Sequence, residues 1–550
     1  MTFKFSLSKH YTALVYSWLA AYGDVEEEFS EQFGEHIAPQ TGKMSSAEFE
    51  NVSANFLKWF TSQPGTTFNP ALKIVDLRDR NAGRGIIATA DIPPETELFT
   101  IPRSAIISVE TSELAQRLPE LFEELPDAET SDTTQGNGNR NNDNDHDEAT
   151  VDLPASWLNL ILILLYETFH HSTSRWAPYL SAIPSTPSQF DTLMFWTQNE
   201  LAELQASVMP SKIGKDSANK MFRERIIPVV KKHADIFYPF NASQLSDEEL
   251  LQRCHAIGSL IMSYAFDLQP DEDEDAADEN EDGWVEDQSK PSTMGMVPMA
   301  DMLNADAEFN AHLSHGDDAL TMTSLREIKT GEEVLNYYGP LPNGELLRRY
   351  GYTSIKHARY DVVEISWNLV KQVLENGERE DSKRNQVQQL IAKVEQDEDM
   401  DVQEGFLLER ETEGPNDQGL YDQMAQFVKF PDELVEAVTS IVSELLEQES
   451  QARPSRNTGD EKKQLKRRVL VTLREITRKR LDQYATSREH DEEILRRDQA
   501  SRRLKHALVV RIGEKQLLKE AGDWAERTLA KYREDVTGSN DPPPRKKQKR

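Results

Sequence analysis

The feature that most limits the architecture of this 550-residue chain is a split: short β-forming runs stand on both sides of a long helical excursion. KIVDLRD, GIIATADI and ELFTIPRSAIIS gather β-formers between the turn signals NAGRG and IPPET. Helical periodicity then holds from Trp157 to about Asp267, in WLNLILILLYETF, MFRERIIPVVKKHADIF and LLQRCHAIGSLIMSYAF. β-like runs return in GMVPMADMLN, AHLSH, ALTMTSL and EEVLNYYG. Short strands cannot hide a hydrophobic face alone, so the two sets are expected to close one unit across the excursion.

Two polar stretches bound that unit from within. Residues 126–152 are nearly free of apolar side chains, and eleven of the seventeen residues at 271–287 are Asp or Glu. Neither can bury enough surface to offset the entropy of ordering, so loops at 126–152 and 271–290 are expected to stay disordered. A separate helical domain is expected over 356–535, where Leu465, Val469, Leu473 and Ile476 keep a 3.6-residue spacing. The expected organisation is an N-terminal extension at 1–50 without an assignable role, a main unit at 51–355 with its helical insertion at about 153–268, the helical domain, and a basic tail at 536–550.

Charge and cysteine usage narrow the function. A formal net charge of -34 excludes a chain whose whole surface grips nucleic acid and suits basic partners, although solubility alone also explains excess acid. The single cysteine, Cys254, excludes an internal disulfide framework and a thiolate-rich zinc cluster, which points to a reducing compartment. His170, His171, His312 and His315 have no carboxylate or thiol at consistent ligand spacing, so no metal is expected. The apolar run at 157–166 is about half of the ~20 residues that span a bilayer and reads as a buried helix.

Three stretches can carry chemistry. Gly83 and Gly85 bracket Arg84 in NAGRG, where glycines let main-chain groups approach a ligand, though an ordinary β-turn reads the same way. DMLNADAEFNAHL puts Asp301, Asn304 and Asn310 into a short apolar segment, either to orient backbone toward a ligand or as a structural polar network. NYYGPLPNGELLRRYGY places Tyr337 and Tyr338 before a Gly339–Pro340 turn with a helix behind it.

Taken together and in order, GRGIIATADIPPETELFTIP, RWAPYLSAIP, MVPMADMLNADAEFNAHL and GEEVLNYYGPLPNGELLRRYGY resemble the SET-domain protein-lysine methyltransferases. The helical insertion and helical C-terminal domain resemble the Rubisco-methyltransferase-type branch. The resemblance implies an α+β fold: a SET-domain β-fold of several small sheets with a helical insertion, followed by an all-α substrate-binding domain. It implies S-adenosyl-L-methionine as cofactor, held by Gly83, Arg84 and Gly85 through their backbone. Tyr264 stands where the branch has Arg or Tyr near the cofactor's carboxylate. Asn304 and Ala305 stand where the family has Asn-His, so the histidine is missing here. Tyr338 would be the catalytic tyrosine beside the methyl transfer and also touch the cofactor, Tyr350 would line the cofactor pocket, and Trp176 would border the substrate channel. Asp301 and Asn310 read as supports for the kinked backbone.

The implied substrate is a basic protein, a 60S ribosomal protein by resemblance, with a histone or other nuclear protein as the alternative. An inert SET-fold module that binds basic proteins is the reading from another class. A monomer with no direct nucleic-acid or membrane partner is expected. The tail PPPRKKQKR suggests a nuclear address, with the cytoplasm as a second location.

Overall fold

The computed structural model describes residues 44–122, 155–268 and 293–537, apart from 81, 378–379, 398–401, 403–404, 452–457 and 498–499. The two expected loops, most of the N-terminal extension and nearly all of the basic tail lie outside the described residues.

The β-forming runs make twelve short strands in five small sheets. Strands β1 (Thr67–Phe68), β4 (Glu97–Pro102), β9 (Ala319–Ser324) and β8 (Ala311–His315) form an antiparallel sheet in the order β1-β4-β9-β8. The pairing of β4 with β9 therefore joins the two halves that the sequence separates. β2 (Leu72–Asp76) pairs with β3 (Arg84–Ala88), and β5 (Ala265–Asp267) with β6 (Met294–Met296), both antiparallel. β7 (Asn304–Ala305) and β10 (Leu335–Asn336) are parallel. In β9 Leu320, Met322 and Ser324 are buried while the residues between them are not, the period-2 pattern of a strand with one face on the core.

Helix Ser46–Thr61 opens with a capping box between Ser45 and Glu48 and buries Phe49, Ser53, Phe56 and Phe60. It straddles the expected boundary at residue 50, because Phe56 and Phe60 belong to the same core as the strands. The excursion contributes helix Ala155–Phe169, buried almost all round, and helix Asp247–Tyr264, capped by Ser246 and Glu249. The second helix runs straight into β5 and so delivers Tyr264 to the sheet edge. MFRERIIPVVKKHADIF is not one helix: a π turn at Phe222–Ile226 precedes Ile227–Lys232, and Pro228, which lacks a backbone donor, stands at the junction.

A second core holds the C-terminal domain, with Leu434, Ile476 and Leu517 among its fully buried members. Its main helices are Trp367–Asn376, Asp381–Val394, Asp432–Gln451, Thr458–Leu481 and Arg502–Thr537. Val469, Leu473 and Ile476 point inward as the spacing predicts. The domain is not all-α, since β11 (Val363–Ile365) pairs with β12 (Phe406–Leu408); both strands turn alternate apolar residues into this core, which is the physical reason for the exception.

Buried charge fastens this domain to the excursion. Asp491, with no exposed surface, takes Arg511 at 2.8 Å and Lys515 at 2.5 Å. Arg511 also donates to the Glu203 carbonyl at 2.6 Å, and Ser207 donates to Glu514 at 2.7 Å. Gly513, on the same helix, faces Asp361, just before β11, so closely that a Cβ would overlap Asp361 Oδ2. Removing the shared anion strands two buried cations, a change that typically costs about 3–5 kcal/mol. Asp491→Ala should therefore lower the unfolding free energy of the C-terminal domain by about that amount in urea titrations; a loss below about 1 kcal/mol would contradict the network's role.

Candidate active site

The site begins with a crossing. Asn310 has no exposed surface, and its Oδ1 accepts from Leu335 N at 2.8 Å while Nδ2 donates to the Glu333 carbonyl at 2.8 Å. Its backbone N donates to the Leu335 carbonyl at 3.2 Å. The side chain thus serves β10 as a neighbouring strand would. β10 can then lie parallel to β7, with Leu335 opposite Asn304 and Asn336 opposite Ala305.

Asn304 ties that crossing to the glycine turn. Its Nδ2 donates to the Arg84 carbonyl at 3.1 Å and to Glu333 Oε1 at 2.7 Å, and burial raises the Glu333 carboxyl above its ordinary range. Gly85 has no room for a side chain: a Cβ would overlap Leu77 Cδ1 and come within 2.7 Å of Glu333 Oε1. Gly83 is the opposite case, with φ +69° and open space where a Cβ would stand. The Arg84 side chain points elsewhere. Its Nε donates to Ser53 Oγ at 3.0 Å, Nη1 to the Ala182 carbonyl at 2.5 Å, and the guanidinium lies over the Phe49 ring. Nη2 is buried without a partner, and burial lowers the group to about 10.

Beside this cluster opens a cavity of about 830 Å³ between the main unit and the C-terminal domain, lined among others by Tyr264, Asp301, Tyr338, Tyr350, Glu364 and Glu409. Tyr338 connects the two places: its hydroxyl donates to the Leu303 carbonyl at 2.8 Å, and its ring stacks on Tyr350 at 4.6 Å. Burial pushes the Tyr338 hydroxyl well above the ordinary phenol range, so it stays protonated. Tyr264 is pushed up to about 12 by burial, with Asp301 adding to the shift.

Asp301 faces the same cavity. Tyr179 donates to its Oδ2, while Oδ1 is buried with no hydrogen bond of good geometry among the described residues, although the Asp301 and Met299 backbone N–H groups partly offset the cost of its burial. Burial raises its carboxyl to about 8. Two residues earlier Met299 holds φ +82°, a conformation that costs a non-glycine residue on the order of 1–3 kcal/mol and that packing on every side must impose.

Of the residues expected from sequence, Tyr264, Tyr338 and Tyr350 line the cavity; Gly83, Arg84, Gly85, Asn304 and Ala305 form the adjoining cluster. Trp176 stands apart. It is 2% exposed and its indole N–H donates to the Ala105 carbonyl at 2.8 Å inside the core, so it anchors packing rather than bordering the cavity. Asn310 is a support as expected, whereas Asp301 is itself part of the cavity wall. Sequence reasoning missed four contributors. Tyr352, two residues beyond Tyr350 in the same motif, donates to the Ala305 carbonyl at 3.4 Å. Glu333 was visible only as an acid before the buried Val334. Tyr179 and Tyr421 carry no local signal; Tyr421 closes a chain of hydroxyls through Tyr360 to Tyr337, the last link 3.0 Å long.

The raised Asp301 carboxyl fixes a pH dependence. Its folded value, about 8, lies above the ordinary aspartate value near 4, so the folded protein binds this proton more tightly across that window. Its contribution is fully present below the window and is lost as pH rises toward 8. Asp301→Asn imitates the protonated form and can still accept from Tyr179. The variant should melt progressively higher than the parent as pH rises from about 4 to 8; a difference constant with pH would contradict the assignment.

Comparison with known proteins agrees with this architecture. Residues 83–339 match the SET domain, and residues 383–518 match the family described as Rubisco LSMT substrate-binding. "Ribosomal lysine N-methyltransferase 4" of Saccharomyces cerevisiae is 34% identical over 323 residues, 58% of either chain. "N-lysine methyltransferase SETD6" of Homo sapiens is 26% identical over 58% of this chain and 59% of that one. The chain thus spans somewhat over half the length of the curated relatives it matches. Among solved structures, the SET domain of LSMT bound to lysine and AdoHcy superposes with a TM-score of 0.52 over 88% of this chain and 93% of that one, at 18% identity, a likeness of fold. The chain thus combines a SET-domain fold with a Rubisco LSMT substrate-binding domain behind it.

Proposed function

We propose that the chain is an S-adenosyl-L-methionine-dependent protein-lysine N-methyltransferase acting on a protein of the large ribosomal subunit. The observation that carries the reading is Tyr338, a half-buried tyrosine whose hydroxyl stays protonated and which joins the cavity to the Gly83–Gly85 and Asn304 cluster. The ribosomal substrate rests on the printed name of the yeast relative and on the acidic balance of the chain, which suits a basic protein. Names of the other relatives say only N-lysine methyltransferase.

The residues fit such a cofactor. Gly83 leaves open space in the turn, and Asn304 keeps Oδ1 without a hydrogen bond from any described residue while its amide nitrogen donates to Arg84 and Glu333. Arg84 Nη2 is unmet. Gly83, Asn304 and the rings of Tyr350 and Tyr352 would hold the group. When bound, the cofactor supplies an electrophilic methyl on a sulfonium sulfur.

The chain's own share is positioning and desolvation. Aromatic walls take a lysine ammonium out of water, which lowers its pKa and favours the neutral amine. Tyr338 donates its hydroxyl hydrogen bond to the Leu303 carbonyl, so its oxygen lone pairs remain free to accept from that amine and orient it. No nucleophilic side chain is required.

A nuclear address, read from PPPRKKQKR, and a monomeric state complete the proposal. The test is incubation of the full chain with radiolabelled S-adenosyl-L-methionine and fractionated ribosomal proteins and histones, followed by mass spectrometry of labelled bands. Tyr338→Phe should reduce labelling by roughly 10²–10³-fold while cofactor affinity changes little. A labelled histone with no labelled ribosomal protein would transfer the reading to nuclear substrates, and cofactor binding without any transfer would favour the inert module.

A further inference from the structure

The charges lining the cavity are unevenly matched. Its cations are all engaged: Lys212 pairs with Glu364, Arg349 with Glu345 at 3.0 Å, and Arg410 with Glu520 at 2.7 Å. Two acidic side chains are not: Asp301, which burial holds largely protonated near neutral pH, and Glu409. Asp301 keeps Oδ1 buried and without a hydrogen bond of good geometry on the wall of the main unit. Glu409, on the opposing wall from the C-terminal domain, is exposed to solvent and makes no hydrogen bond or ion pair with any described residue. Its neighbour Arg410 turns the other way, to Glu520 and the Ala358 carbonyl, so alternation just beyond β12 aims Glu409 into the cleft. Asp361 also has an unmet oxygen in this wall, but Gly513 covers it.

We infer that the cleft selects a target lysine that has a second cationic side chain close to it in sequence, the target's amine passing Asp301 toward Tyr338 and the second cation settling on Glu409. A peptide running between the walls meets both acidic side chains, one from each domain. A neutral residue at the second position leaves Glu409 to water, whereas an arginine or lysine head gains a charge-assisted pair with it. Glu409 is thereby a specificity-determining residue and not a catalytic one. The assignment of the target amine rests on the methyltransferase reading; the assignment of the second cation to Glu409 does not.

The test uses two fluorescent peptides in a glycine–serine background, each with a central lysine, one flanked by arginines and the other by the neutral isostere citrulline. Anisotropy titrations with the full chain should show the citrulline peptide binding roughly three- to tenfold more weakly. Glu409→Gln should abolish that difference by weakening the arginine peptide alone. Attraction to the general negative charge of the chain would survive the substitution, since it removes one charge from a net -34. A preference that persists in Glu409→Gln, or no preference, or no binding of either peptide, would overturn the inference. Methyl transfer to the same peptides is read separately, so its absence counts against the methyltransferase reading while the binding difference still decides the role of Glu409.

Discussion

Two segments far apart along the chain must lie side by side for any of this site to exist, and the amide of Asn310 is what allows it. A parallel pair of two residues per strand makes too few ladder bonds to hold its own register. Asn310 adds a donor and an acceptor in the geometry of a missing strand, from a position with no access to water that would compete for them. With β10 fixed, Glu333 meets Asn304, Asn304 meets the Arg84 carbonyl, and Tyr338 reaches the Leu303 carbonyl. Three sequence stretches become one place because side-chain amides and carboxyls reinforce sparse backbone pairing, such as the bond from Val334 N to the Ile86 carbonyl at 2.8 Å.

A second tension lies in the wall of the cavity. Asp301 is buried, half satisfied by Tyr179, and preceded by the strained Met299. A carboxylate kept this dry and this incompletely partnered is poorly explained by stability alone. It shares the cavity wall with Tyr264 and Tyr338, and the unpaired Glu409 faces the same cleft from the other domain.

Much of this was legible in the sequence. The split β runs foretold that strands on both sides of the excursion close one unit, which the β4–β9 pair does, and the polar residues of DMLNADAEFN pointed to a backbone held by side chains, the work that Asn304 and Asn310 do. What stayed hidden depends on contacts with no local pattern. Tyr179 reaches Asp301 across 122 positions, and Tyr421 reaches Tyr360 across 61; a tyrosine that packs and one that completes a polar chain look alike in sequence. Trp176 illustrates the reverse error, since an aromatic within a motif was read as a channel residue when its indole N–H already had a backbone partner in the core. The small β11–β12 pair escaped because its three-residue strands are shorter than any window in which period-2 alternation can be distinguished.

The contact between Gly513 and Asp361 sets a limit on how this protein can change length. Each residue added to a helix rotates everything beyond it by about 100°. A single insertion upstream in Arg502–Thr537 would bring Ile512 into the place of Gly513, and a deletion would bring Glu514, neither of which fits against Asp361. The same rotation would swing Arg511 and Lys515 off Asp491. Related chains of this architecture can therefore vary freely in the loops that precede and follow the helix, while the count of residues from Arg511 to Lys515 is locked to the segment before β11 that carries Asp361.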